Sequence, residues 1–445
     1  MSLLRKTWAA IIEDALLGKV VRNSAHLLSS NSLSLILSMA QGILAARLLG
    51  PAGYGLVGIV MGYASTVNGL LSFRMSELVV RYGGEYLERS ERELAAALVK
   101  AASLTEGAVS VLAFLAVVLS AGLATRFIAK TPGSEMLFIV YALGLLANFN
   151  IETSRGILQV TDKIRLEGLI NLFQTITTAL IIAAAFFLQG SLVIVLGAYL
   201  LGKVILGLGM FVTAQVHLRH TLQRGWWNAS LESLPEFKEM AKFAISSNLS
   251  ATAILVFRES EILWVGFFLS SEAAGYYKAA YAIISLLSVP ANPLILTVYP
   301  ELNRLIVQKA WLRLRDFLRK VTTLAFAYNM LLALGLVFFG HWVLWIYGEQ
   351  YVVAYPAMMA LLVGFVFNYT LFWNRPLLLS LGLPEFPLKA TLGAGVTKLA
   401  LAFPIVPQLG YVAEAGLLSF YYIASVGAIV WRGMKEIRKQ SALFA

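Results

Sequence analysis

The sequence predicts an all-α polytopic membrane protein: about twelve transmembrane helices in two six-helix lobes related by a pseudo-two-fold axis along the membrane normal. Three observations predict it. Of the 445 residues 59% are hydrophobic and only 13% charged, with a mean hydropathy of +0.77, whereas soluble domains carry about 25% charged residues. Apolar segments of bilayer-crossing length recur through the chain, leaving no room for a sizeable soluble domain. The basic residues alternate: of the 35 Lys and Arg, 24 fall in every second connector, 4 in the connectors between, and 7 within spans. The positive-inside rule then places both termini in the cytoplasm of a multi-pass protein of the cell (inner or plasma) membrane. It also accounts for the net charge of +11 without nucleic acid.

Taken in order, residues 1–26 set Leu3, Leu4, Trp8, Ile11, Ile12, Ala15 and Leu16 on one helical stripe, with Arg5, Lys6, Glu13, Asp14 and Lys19 interleaved. This is the pattern of a cytoplasmic interfacial helix, and it lacks the small-residue cleavage site of a signal peptide. The N-terminal lobe, 27–213, holds spans at 27–49, 56–79, 94–120, 136–158, 168–188 and 191–213, the last two divided only by Gln189-Gly190-Ser191. Residues 214–242 form a basic cytoplasmic linker in which His217, Arg219, His220, Arg224 and Lys238 surround Trp226-Trp227, a composition suited to a helix lying on anionic lipid. The C-terminal lobe, 243–431, holds spans at 243–269, 276–299, 318–346, 355–380, 388–409 and 411–431, the last two divided at Gln408-Leu409-Gly410; a basic cytoplasmic tail, 432–445, follows. The lobes echo one another: Ser29-Ser30-Asn31 opens the first span and Gly53-Tyr54 follows it, while Ser246-Ser247-Asn248 opens the seventh and Gly275-Tyr276 follows that. A repeat beginning after an even number of spans returns in the same orientation, which is a parallel repeat enclosing a central cleft.

Several chemistries are excluded. The chain has no cysteine, hence no disulfide, thiolate metal site or cysteine nucleophile, and its four histidines are scattered. Gly53-Tyr-Gly55-Leu-Val-Gly58 matches the dinucleotide fingerprint but joins two membrane spans instead of following a strand, and no phosphate-binding G-x-x-x-x-G-K-[ST] loop exists. No cofactor, metal or covalent chemistry is expected.

The informative residues are charges inside spans, where each costs about 2.5–3.5 kcal/mol on insertion scales and so faces a protein interior or a wet cavity. The seventh span carries Arg258, Glu259 and Glu261 near its middle. Arg258 and Glu261 are three residues apart and share a helical face, while Glu259 is turned about 100° away and needs a second partner. Arg74 with Glu77 and Glu152 with Arg155 repeat the three-residue spacing, and Lys203 and Lys398 have no partner along their own helices. Cations outnumber carboxylates in this set, so the interior should attract an anion, with arginine forks suited to phosphate or pyrophosphate oxygens. The candidate substrate-binding residues are therefore Arg74, Arg155, Lys203, Arg258, Arg375 and Lys398. Glu77, Glu152, Glu259 and Glu261 are candidates for holding H⁺ or Na⁺ as a coupling ion, or for pairing with the cations.

The opening Ser-Ser-Asn span running into Arg47-Leu-Leu-Gly-Pro-Ala-Gly-Tyr-Gly55, Gly275-Tyr-Tyr-Lys-Ala-Ala280, Tyr299-Pro-Glu-Leu302 and Tyr347-Gly-Glu-Gln-Tyr351 occur in the order of a known family. The chain resembles the oligosaccharide-lipid flippases, the polysaccharide transporter family of the superfamily that includes lipid II flippases and multidrug extruders. The resemblance implies alternating access by two six-helix lobes about a cationic cavity. It implies translocation of polyprenyl-diphosphate-linked oligosaccharides to the outer leaflet for polysaccharide or glycan assembly, with a glycan polymerase or ligase acting downstream and no enzymatic step in the protein itself. The alternatives are an ion-coupled multidrug/cation antiporter of the same superfamily, which should present a carboxylate-dominated cavity, and a membrane-embedded polysaccharide polymerase, which should carry a sizeable outer loop.

Overall fold

The computed structural model describes residues 15–222, 225–234, 239–240, 252 and 254–443, and among them every regular element is helical. Most of the predicted interfacial helix, residues 1–14, lies outside the described residues, as does the Ser246-Ser247-Asn248 half of the internal echo. From Ala15 the chain is already helical and runs to Leu71 as α1, bent at Gly50, whose φ of 65° and ψ of 177° are not helical. Pro51 follows and cannot donate the helical hydrogen bond, so two spans are written into one helix. After it come α2 (Met75–Leu78), a wide π turn at Val79–Gly83, α3 (Gly84–Glu88), α4 (Arg92–Ala124), α5 (Glu135–Ala147), α6 (Ile151–Val160), α7 (Arg165–Phe187) and α8 (Leu192–Thr221). A π turn at Leu255–Glu259 leads to α9 (Glu261–Phe268), α10 (Ser271–Ile284), α11 (Ala291–Val307), α12 (Trp311–Tyr347), α13 (Tyr355–Thr370), α14 (Asn374–Ser380), α15 (Glu385–Leu409) and α16 (Tyr411–Leu443).

Nine of these helical stretches, or ten with one bent pair joined, are long and apolar enough to cross a membrane. Dividing the first at Gly50 and adding the stretch that ends at Phe268, whose beginning is not described, accounts for the twelve predicted spans. The two thinnest predicted boundaries fall where expected: α7 ends at Phe187 and α8 begins at Leu192, and Gly410, at φ 74°, separates α15 from α16. The described part of the basic tail, to Leu443, is the helical continuation of α16, with Arg432 bonded to Glu436 at 2.9 Å.

Contacts divide the chain into one unit of Ser34–Gly275 and another of Tyr276–Ala445 with the segment up to Leu33. The division falls inside α10, later than the linker at 214–242 that the sequence suggests. Two packing features explain this. First, the described part of 214–242 is docked: Leu218, Leu222, Trp226 and Leu234 join a core with Ala95, Leu98 and Val99 of α4, and the Lys100 ammonium donates to the Ala229 carbonyl at 3.0 Å. This part continues α8 to Thr221 and then forms two short 3₁₀ turns, Trp226–Asn228 and Leu231–Ser233. Second, Gly55, Gly62 and Gly69 lie seven residues apart, on one face of α1, and the 255–275 segment runs antiparallel along them. A Cβ on Gly55 would stand 1.8 Å from the Ser271 carbonyl oxygen, one on Gly62 3.1 Å from Ile262 and one on Gly69 2.8 Å from Leu255. From the other side, a Cβ on Gly275 would stand 2.0 Å from the Pro51 oxygen. In lipid no hydrophobic force draws helices together, so close backbone approach at small residues supplies the attraction. Gly55, the central glycine of the apparent nucleotide fingerprint at Gly53–Gly58, belongs to this seam.

In the second unit, α13 and α16 meet the same way at Gly364, whose N–H donates to Ser419 Oγ at 3.0 Å while that hydroxyl donates to the Ala360 carbonyl at 2.5 Å.

Gly55→Ala should destabilise the protein by about 3 kcal/mol, the upper range for overpacking a filled contact. Gly122→Ala, at a helical position with no atom within 4 Å of the new Cβ, should be neutral or slightly stabilising. Thermal unfolding in detergent checks both; equal midpoints for the two variants would refute the seam.

Candidate transport cavity

Several of the intramembrane charges sit where helices break. Three spans of the first unit are interrupted: between Leu71 and Met75, between Ala147 and Ile151, and at Ser260. Each downstream half-helix carries a glutamate in its first turn, Glu77 in α2, Glu152 in α6 and Glu261 in α9. The physical reason is common to all three. A helix N-terminus exposes unbonded N–H groups and a partial positive charge, so a carboxylate there is favoured; within a bilayer no water is at hand to replace it.

The break at 148–150 shows the arrangement most fully. Buried Glu106, from α4, reaches the start of α6 and accepts from the Glu152 N–H at 2.8 Å through Oε1 and from the Thr153 N–H at 2.9 Å through Oε2. Glu152 in turn accepts from Ser76 Oγ and from Arg155 Nη1, each at 2.5 Å. Arg155 Nε donates to Glu167 Oε1 at 2.7 Å, so this arginine is clasped by two carboxylates. Helix α8 crosses the break at Gly207, where a Cβ would lie 2.3 Å from both the Ala147 carbonyl and Asn148 Oδ1.

These groups surround a cavity of about 460 Å³ within the first unit, bounded by 68–77, by Glu106 and Ser110 of α4, by the 148–155 stretch and by Ile254, Leu255 and Glu259. Arg74 and Glu77 face it as an ion pair at 2.7 Å with side chains 50% and 41% exposed. Arg74 is therefore the cation most open to a ligand here, whereas Arg155 is committed to its carboxylates. At the Ser260 break the Val256 carbonyl accepts from Ser260 Oγ at 2.8 Å and from the Trp264 indole at 3.2 Å, so the break is satisfied from within its own segment.

Of the ten sequence-predicted residues, the cavity gathers Arg74, Glu77, Glu152, Arg155 and Glu259. Arg258 is half-buried in the π turn and Glu261 is buried at the start of α9, with the interruption at Ser260 between them. Lys203 is half-buried on α8 with its ammonium 5.1 Å from the Tyr141 ring centre. Arg375 and Lys398 belong to the second unit: Arg375 is exposed in the first turn of α14, after another interruption at 371–373, and Lys398 forms a 3.0 Å ion pair with Glu414. Both side chains of that pair are fully buried, so the anion that Lys398 wants is supplied by the protein. The expected cationic excess is thus reversed in this cavity, where Glu77, Glu106, Glu152 and Glu259 face two arginines. Helix starts call for carboxylates, and the sequence count did not weigh them. Glu414 and Glu167 were missed because each lies near the end of its helix, where a charge reads as interfacial; their partners across the fold show otherwise.

A family model described as polysaccharide biosynthesis protein matches residues 20–306. The chain belongs to that family. A curated relative, the inner membrane protein YghQ of Escherichia coli, is 27% identical over 307 residues, covering 67% of this chain and 84% of its own length. Among solved structures, an inward-facing multidrug resistance MATE family transporter of the MOP superfamily superposes with a TM-score of 0.73 at 16% identity, over 93% of this chain and 96% of that one. The lipid II flippase MurJ in an inward closed conformation superposes with a TM-score of 0.71 at 14% identity, over 94% and 90%. These likenesses show the all-helical, two-lobed polytopic fold of MOP-superfamily transporters that the sequence predicted.

Glu106→Ala should cost about 3 kcal/mol, because two charge-assisted bonds to buried N–H groups are lost, and Glu106→Gln should cost less because one acceptor remains. Thermal unfolding in detergent orders the two variants. For the second unit, Lys398→Met alone should destabilise by about 3–5 kcal/mol by stranding a buried carboxylate, whereas Lys398→Met combined with Glu414→Leu should recover most of that loss; a double-mutant cycle on the unfolding midpoint measures the coupling.

Proposed function

We propose that this protein is a flippase that carries a polyprenyl-diphosphate-linked oligosaccharide from the cytoplasmic to the outer leaflet of the inner membrane by alternating access, in support of polysaccharide assembly. The observation that carries the reading is Arg74: a half-exposed guanidinium held at a helix break and facing a cavity lined by charged side chains. A planar fork at that position suits the oxygens of a diphosphate, and its ion pair with Glu77 keeps it oriented when the cavity is empty. Family membership and the likeness to a lipid II flippase support the same substrate class. The name of the relative supports an inner-membrane location.

The carboxylates supply the coupling. Glu77, Glu152 and Glu259 line the cavity, and Glu106 anchors the half-helix that carries Glu152. Binding H⁺ or Na⁺ there weakens the hold of the carboxylates on Arg74 and Arg155, freeing guanidinium donors for an anion. Release of the ion restores the internal pairs and expels the substrate. Arg258, Arg375, Lys203 and Lys398 are proposed as contacts elsewhere along the path, with Lys398 the least available because of Glu414. A downstream glycan polymerase or ligase is the expected consumer of the product.

One observation favours a second reading. Four carboxylates against two arginines is the balance expected for a cavity that accepts an organic cation, as in a multidrug/cation antiporter.

Proteoliposomes separate the two. A fluorescent polyprenyl-diphosphate sugar should cross in wild-type vesicles faster with an imposed H⁺ or Na⁺ gradient, and Arg74→Gln should slow it at least tenfold, the loss of one charge-assisted contact of about 1.5–3 kcal/mol. Arg258→Ala in the same assay tests the seventh span. Cationic dye exchange without lipid-sugar transfer would replace the flippase by the antiporter.

A further inference from the structure

The first unit holds a second, larger cavity that the transport reading does not use. It has a volume of about 1320 Å³ and runs along the flank of α4 and α8, from Asn150 at the helix break to Arg219, His220, Trp226 and Trp227 near the end of α8. Its walls are apolar: Leu104 and Val216 are exposed along it, and Phe149 and Phe211 pack at 4.8 Å between ring centres. Its mouth is cationic and aromatic, with Arg219 and His220 exposed and the two tryptophans edge to face at 5.1 Å. Within it lies an unmet donor. Asn150 is 3% exposed; its Oδ1 accepts from Ser154 Oγ at 3.1 Å, but its Nδ2 has no acceptor among the described residues. A buried amide donor left so in a bilayer costs about 1–3 kcal/mol unless a ligand oxygen meets it.

We infer that this groove is a binding site for one anionic phospholipid of the leaflet at the basic end of the bundle. The phosphate meets Arg219 and His220 among the tryptophans, the glycerol esters lie along Leu104 and Val216 with a carbonyl oxygen accepting from Asn150 Nδ2, and one acyl chain continues past Phe149 and Phe211. Charge complementarity selects the headgroup: Lys and Arg concentrate at this end of the spans, and no carboxylate is among the described residues that line the groove. The groove wraps the same 148–150 break whose other side faces the transport cavity, so an occupied site steadies the half-helix that carries Glu152.

Gly107 supplies the test. It lines the groove, and a Cβ there would approach only Phe149, at 4.0 Å, so a leucine side chain enters the groove without displacing a neighbouring helix. The full chain is placed in nanodiscs of equimolar palmitoyl-oleoyl phosphatidylglycerol and phosphatidylcholine, then stripped of bulk lipid during native mass spectrometry. The wild type should retain one phosphatidylglycerol. Gly107→Leu, with an unchanged unfolding midpoint, should lose it, and Arg219→Gln should lower the preference for phosphatidylglycerol about fivefold, one charge contact of about 1 kcal/mol. If Gly107→Leu fails to fold, Ala108→Leu on the same wall carries the same expectation. Equal retention of phosphatidylcholine, retention undiminished by the filled groove, or displacement of phosphatidylglycerol by an equal amount of a polyprenyl phosphate would each overturn the assignment.

Discussion

The structure depends on one constraint: a helix broken inside a membrane must find partners for the backbone groups it frees. Glu106 answers it for the fourth span by accepting both N–H groups at the start of α6. Trp264 and Ser260 answer it for the seventh by donating to the Val256 carbonyl. Once these polar groups are in place the segment cannot be lipid-facing, so the breaks turn inward and a cavity forms between them. The site is a consequence of how the interruptions are satisfied.

The same constraint reassigns the charges. Glutamates in the first turns of α2, α6 and α9 offset helix N-termini, and the arginines near them offset the glutamates, so the cavity is held by a network instead of a ring of free cations. Such a network has two ways of being neutral, with arginines paired internally or carboxylates neutralised and arginines paired to a ligand. A transporter needs two states of similar energy, and a few kcal/mol per charge-assisted bond is the right scale to separate and reconnect them. The Lys398–Glu414 pair has no such freedom because both groups are fully buried and face each other.

Glycine placement decides which helices share a unit. The seam of Gly55, Gly62 and Gly69 holds the 255–275 segment against α1, so the seventh span packs with the first six although the internal echo assigns it to the second half. The motifs that carry that echo, Gly53-Tyr54-Gly55 and Gly275-Tyr276, prove to be the two sides of one close contact: Gly55 lies against Ser271 and Gly275 against Pro51.

Composition, span length and the alternation of Lys and Arg are averages over many residues, and by themselves they determined the membrane class, the helical fold and the positions of most spans. Thin boundaries such as Gln189-Gly190-Ser191 were legible because glycine and polar residues interrupt an apolar run whatever packs against it. The charged residues of interest were legible too, since a charge in an apolar span is conspicuous. Their roles were not. Spacing within one helix found Arg74–Glu77 and Glu152–Arg155, which are local. It could not find Glu106 on α6, Arg155 with Glu167, or Lys398 with Glu414, because those partners are brought together only when separate helices pack. It also took the helix through Arg258 and Glu261 as continuous, where the structure has a π turn ending at Glu259 and a new helix starting at Glu261. The sequence determined that charge lies inside the membrane; the tertiary structure alone decided what each charge faces, because in a low-dielectric interior a group's state is set by its nearest partners and not by its own helix.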